Sequence, residues 1–267
     1  MARRDISLFL IITFVWSWGF WAIPYLAHRG VELPTFLSGL VGQGGPAAWG
    51  PLIGALIVAF VRGGPGGVLS LMKRGFAFRF AARWYLIAFL TSPLLIGLSY
   101  LVGMLEGDGM SVSEAMQNPA IIPIAFVVIL LTGGPLQEEF GWRGTLLDPL
   151  QARFGALWAS LMVGAIWGAW HIPLFLFPND AGPYYGRPFW GLMVTTMLIS
   201  VLFTWIWNNT GRSLLAVMIF HTMFNLTHWA LPVLGSDLAA LVLFGLQILA
   251  VGAVIMRFGA RNLSRHL

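Results

Sequence analysis

"GGPLQEEFGWRG", residues 133–144, sets two adjacent glutamates and an arginine beside an apolar run in a chain that is otherwise oily. Of 267 residues, 58% are hydrophobic and 9% are charged, against roughly 25% charged in soluble domains. The mean hydropathy is +0.81. Apolar runs of about 20 residues recur along the whole length, and a bilayer-spanning helix needs that length. The sequence therefore predicts an all-α, polytopic helical membrane protein. The ionisable residues inside its runs are the ones that need a reason.

Eight spans are predicted, at about 6–27, 40–62, 84–104, 121–142, 156–177, 188–208, 213–232 and 237–258. The N-terminus has a basic start followed by a long apolar stretch without an A-x-A site, so it reads as a retained first span. The second span opens on the Gly/Pro-rich "VGQGGPAAWGP". Between spans two and three, "RGGPGGVLSLMKRGFAFRFAARW" is basic and partly amphipathic, which suits a segment resting on the membrane surface. Neither repeats nor a soluble domain interrupt the pattern, so residues 1–267 read as one membrane domain. Many of the 13 tryptophans fall near run ends, as an interfacial belt requires.

An even number of spans puts both termini on one side. Arg3, Arg4, Arg62, Lys73, Arg74, Arg79, Arg83, Arg143, Arg153, Arg212, Arg257, Arg261 and Arg265 then share that side. Arg29 and Arg187 fall opposite, with the acidic loop of Glu106, Asp108 and Glu114. The positive-inside rule makes the termini cytoplasmic, in a multi-pass cell-membrane protein of bacterial type. The same scatter of basic residues accounts for the net charge of +5 by orientation, so no nucleic-acid partner is expected. Zero cysteines rule out disulfides, thiolate metal sites and a cysteine nucleophile.

A charge at the bilayer centre costs about 2.5–3.5 kcal/mol on insertion scales. The spans nevertheless hold Glu138, Glu139 and Arg143 toward the cytoplasmic end of the fourth, His171 in the fifth, and His221, Asn225 and His228 in the seventh. Glu139 and Arg143 are four apart with the acid first, the favoured order for an ion pair. Glu138 lies about 100° around the helix and points elsewhere. Gly133, Gly134 and Pro135 loosen the helix just before it. His221 and Asn225 share a helix face, and Pro173 removes a backbone donor two residues after His171.

One Glu, two His and one Asn from three helices can converge inside a bundle, provided that span five starts outside the hydrocarbon, as "LLDPLQARFGALW" read as a cytoplasmic extension allows, or that span four is long or tilted. Taken singly, each histidine is a helix-packing hydrogen bonder, Asn225 is interhelical glue, and Glu139–Arg143 is a structural ion pair. His228 reads as interfacial. No H-E-x-x-H, G-x-S-x-G or G-x-G-D stretch is present. A bis-histidine haem would leave the Glu-Glu-Arg set idle, and a transporter finds no half-to-half repeat to support it.

The order Glu-Glu-x-x-x-Arg (138–143), aromatic-x-x-x-His (167–171) and His-x-x-x-Asn (221–225) resembles the three signatures of the CPBP intramembrane proteases. This family is named for CAAX-protein and bacteriocin processing and is also called Abi. "GPLQEEFGWRG" followed by "WGAWHIPLF" is similar to its bacterial branch. Trp167 stands where the broader family often has Phe. The resemblance covers roughly 121–232 as a catalytic core and leaves 1–120 as variable N-terminal helices.

It implies an eight-helix membrane endopeptidase acting near the cytoplasmic face on a membrane-associated protein or peptide. It also implies roles: Glu138 activates water with His171, His221 and Asn225 stabilise the oxyanion, and Glu139–Arg143 holds the helix end. Many members carry the label metalloprotease, and Glu138, His171 and His221 could make a three-ligand zinc site with an open position. The same residues suit a metal-free mechanism, and no cofactor is required by the sequence. Two other functions stand beside the enzyme: a non-catalytic factor such as one conferring bacteriocin immunity, and a membrane transporter.

Overall fold

The computed structural model describes residues 3–40, 42–107, 110–179 and 184–265, and among them every regular element is helical. The principal helices are α1 (Arg3–His28), α2 (Gly50–Gly75), α3 (Ala82–Leu105), α4 (Ile122–Thr132) and α5 (Pro135–Gly141). They continue as α6 (Asp148–Phe154), α7 (Ala156–Trp170), α8 (Phe189–Asn209), α9 (Leu214–Ala230) and α10 (Asp237–Phe258). Among the described residues, six stretches are long and apolar enough to cross a membrane: Arg3–His28, Gly45–Gly75, Ala82–Leu105, Pro119–Phe154, Phe189–Asn209 and Asp237–Phe258. The shorter apolar helices α7 and α9, of 15 and 17 residues, stand where the sequence predicts spans five and seven. The protein is thus an all-helical, multi-pass membrane protein. Asp108, part of the predicted acidic loop, lies outside the described residues.

Two boundaries differ from the sequence reading, each for a backbone reason. The helix in the predicted fifth span, α7, ends at Trp170 instead of running to 177, because Pro173 has no N–H to continue the ladder. His171 becomes its C-cap, and the chain tightens into the 3₁₀ turn Ile172–Phe175. The fourth span is longer than 121–142. The helical stretch that holds it runs from Pro119 to Phe154, 36 residues.

That stretch is also broken. Gly134 takes φ 108°, a left-handed conformation that a side chain resists. Pro135 then opens α5 at a position where its missing N–H costs nothing. After α5 the backbone widens into a π-helical turn, Trp142–Leu147, where the Thr145 hydroxyl donates to the Phe140 carbonyl at 3.0 Å. Such π-turns are frequent at functional sites.

The chain divides into two compact units, residues 1–73 with 137–200, and residues 74–136 with 201–267. In the first, α2 approaches α1 closely through glycine. A Cβ at Gly54 would lie 2.8 Å from Thr13 Oγ1 and 3.1 Å from the Phe9 carbonyl. The irregular backbone leading into α2 is satisfied from α1: Trp16 Nε1 donates to Pro46 O and Ser17 Oγ to Ala47 O, both at 2.7 Å. Without water in the hydrocarbon region these carbonyls need such donors.

The α7–α8 pair is also in close contact, since a Cβ at Gly164 would meet the Met197 Cα and the Thr196 carbonyl at 2.5 Å. Small residues permit this approach, which drives helix association in lipid. Gly164→Ala is expected to push α7 off α8 and cost about 1–3 kcal/mol, as overpacking does. Thermal unfolding in detergent checks this, and an unchanged midpoint would contradict the close approach.

In the second unit α3 packs against α9 and α10, and α9 against α4. Ile96, Val233, Ala239 and Leu243 form a buried cluster there. Serine hydroxyls start two of its helices: Ser213 accepts from Ala216 N at 3.1 Å and Ser236 from Ala239 N at 3.0 Å. Each side chain satisfies an N–H that the first helical turn leaves without a backbone partner.

Candidate active site

Glu138, Glu139 and Arg143 lie on α5 and the π-turn, and His171 lies at the end of α7, all within the first unit. The predicted division of the two glutamates holds. Glu139 Oε1 meets Arg143 Nη1 at 2.9 Å, with both side chains fully buried. Arg143 Nη2 also donates to Ser200 Oγ at 2.9 Å, and its guanidinium lies 5.1 Å from the centre of the Trp167 ring. A buried charge is tolerable only with partners of this kind. The pair is buried in the interior of the unit.

Glu138 points the other way, as the 100° offset requires. Its Oε2 accepts from Trp142 Nε1 at 3.3 Å and from Trp167 Nε1 at 2.5 Å. Trp167 therefore supplies a donor that a Phe at this position could not. One turn further along α7, its carbonyl meets His171 Nδ1 at 2.9 Å. A carbonyl only accepts, so this contact puts a ring proton on Nδ1 and leaves Nε2 to face other partners. Glu138 and His171 thus share Trp167 as a common support.

Tyr184 joins this group from the segment between α7 and α8. Its ring lies 5.8 Å from the His171 ring and 5.3 Å from that of Phe175. Burial first, and the Glu138 charge second, push its phenol up to about 12. The hydroxyl stays protonated at neutral pH, a neutral donor beside a carboxylate and an imidazole.

In the second unit His221 is buried, 2% exposed, with its ring edge-on to Phe203 at 5.3 Å. Asn225, one turn on, donates from Nδ2 to the Gly133 carbonyl at 2.9 Å. That carbonyl belongs to the break after α4, where a helical partner is lost. His228 Nδ1 meets the Phe224 carbonyl at 2.9 Å, and its ring packs on Phe224.

The residues that the sequence reading missed are Trp142, Ser200 and Tyr184. Trp142 had a signal, since it stands four residues after Glu138 and i,i+4 side chains meet. Ser200 and Tyr184 come from distant positions with no local pattern. Among the described residues, no group of three His, Asp or Glu side chains is placed to hold a metal ion. Oε2 of Glu138, moreover, is already engaged by two N–H donors. Glu138 and His171 lie in the first unit and His221 in the second.

Fold and site together define a class: a multi-pass helical membrane protein with a buried carboxylate centre on a broken span. Residues 118–227 match a family model described as Type II CAAX prenyl endopeptidase Rce1-like. Over 179 residues, 64% of the chain, the sequence is 26% identical to a protein named CAAX prenyl protease 2 from Methanococcus maripaludis. The alignment spans 64% of that relative's length. The resemblance to the CPBP family, of which the Rce1-like proteins are part, is therefore shown over these residues.

Proposed function

We propose that the protein is an intramembrane endopeptidase in which Glu138 activates the attacking water. The observation that carries this reading is the Glu138 carboxylate, 6% exposed, aimed by two indoles beside His171 in the matching segment. A carboxylate positioned in an apolar surround can take a proton from water as the water attacks a peptide carbonyl. The carbon becomes tetrahedral, its oxygen gains negative charge, and the C–N bond then breaks as the amine receives the proton. Glu138 and Nε2 of His171 are the groups that hold and pass that proton. The resemblance supports His221 and Asn225 as oxyanion donors and residues 121–232 as the catalytic core. Glu139–Arg143 fixes the helix turn that carries Glu138.

The name of the archaeal relative makes C-terminal CAAX-type peptides, prenylated or not, the first substrate class to test. Purified protein reconstituted in liposomes should cleave a membrane-anchored peptide of this class, and Glu138→Ala should not. Equal cleavage by both would sink the reading. Cleavage of the peptide without its lipid would place recognition in the amino-acid sequence.

The charge distribution supports cytoplasmic termini in the cell membrane. Reporter fusions after Arg62 and Arg212 should read cytoplasmic, and fusions within 106–118 external. The reverse pattern would overturn the orientation.

A further inference from the structure

We propose that Trp142 and Trp167 are the positioning residues of the base, two indole N–H groups that clamp Glu138 by one carboxylate oxygen. The proposal rests on the reading of Glu138 as the base. The donors reach Oε2 from different elements, Trp142 from the π-turn at 3.3 Å and Trp167 from α7 at 2.5 Å. A glutamate has three side-chain torsions, and an unanchored one would spread over several rotamers. Two donors converging on one oxygen leave a single orientation.

The donors are themselves immobilised. Trp142 is fully buried, edge-on to Phe9 at 5.7 Å and to Trp170 at 5.9 Å. Trp170 is packed in turn on Trp21 at 4.7 Å, and its carbonyl accepts from Trp18 Nε1 at 3.0 Å. Trp167 is 4% exposed and faces the Arg143 guanidinium. The clamp is therefore backed by α1 on one side and by the Glu139–Arg143 pair on the other.

Indole also suits the task chemically. Its N–H donates but neither accepts nor releases a proton near neutral pH. It can hold a general base without competing for the proton that the base must take. A phenylalanine at either position would fill much of the same volume and supply no donor, leaving a buried carboxylate with one hydrogen bond fewer.

The test uses the full chain in liposomes with a prenylated, membrane-anchored CAAX-type peptide. Trp142 and Trp167 are each replaced by phenylalanine and, as a closer isostere without N–H, by benzothienylalanine. Misplacing a catalytic group costs on the order of 10–100-fold, so kcat should fall by that factor at Trp167 with KM and the unfolding midpoint nearly unchanged. The loss should be smaller at Trp142, where the bond is longer. In a Glu138→Gln background the residual rate should not fall further, because the clamp then has no base to aim.

A Trp167 isostere with wild-type kcat, or a loss carried by KM alone, overturns the proposal while leaving Glu138 as the base. Wild-type protein that shows no Glu138-dependent cleavage overturns the catalytic reading and the proposal together. The indole N–H Raman band decides in the same direction without turnover. It should show a strong hydrogen bond in the wild type and a weakened one in Glu138→Ala, and an unchanged band contradicts the clamp.

Discussion

Glu138→Gln is expected to lower turnover at least about 10²-fold, the usual consequence of losing a general base, while the protein folds and reconstitutes like wild type. The amide keeps the length of the side chain and an oxygen for the two indoles to meet, so the geometry of Trp142 and Trp167 survives. What disappears is the capacity to take a proton from water. A neutral group in a buried site also costs the fold less than a charged one, so the unfolding midpoint should hold or rise. Loss of activity together with loss of folded protein would point to a structural role instead.

Glu139→Gln is expected to do the opposite and damage stability first. Both members of the Glu139–Arg143 pair are fully buried at 2.9 Å, and removing one partner of a buried pair typically costs about 3–5 kcal/mol. The guanidinium would retain Ser200 and the Trp167 ring but lose the charge that balances it. Activity should fall too, because the same helix turn carries Glu138 and the same guanidinium backs Trp167. Changing both residues, Glu139→Gln with Arg143→Gln, should recover part of the lost stability, since no unbalanced charge remains. Thermal unfolding in detergent of the two single variants and the double variant measures the coupling. Simple additivity would mean that the pair does not hold this turn together.

The contrast between these two neighbouring glutamates was legible in the sequence, and the reason is local. Helical spacing alone puts Glu139 over Arg143 and turns Glu138 away. The membrane class was legible for an equally simple reason, the length and apolarity of the runs. The break at Gly133–Pro135 followed from residue types that resist helix.

Other features depend on the rest of the chain. Nothing in the run 121–142 says that the helix resumes through a π-turn to Phe154. His171 reads as a residue inside a helix until the 3₁₀ turn behind Pro173 makes it a cap. Trp167 reads only as the aromatic four residues before His171, because its N–H finds Glu138 only once α7 and the π-turn have packed together. Tyr184 and Ser200 reach the site from 46 and 62 positions beyond Glu138, a separation over which sequence spacing carries no geometry.

The central claim is that Glu138 turns a water molecule into the nucleophile that breaks a peptide bond. It is tested most directly by cleaving a membrane-anchored CAAX-type peptide with purified, reconstituted protein in ¹⁸O-labelled water and weighing the products. With the wild type, one solvent oxygen should appear in the newly formed carboxyl group. With Glu138→Gln, almost no product should form in the same time. A product formed equally by both proteins, or no cleavage by the wild type of any peptide in the class, would contradict the claim.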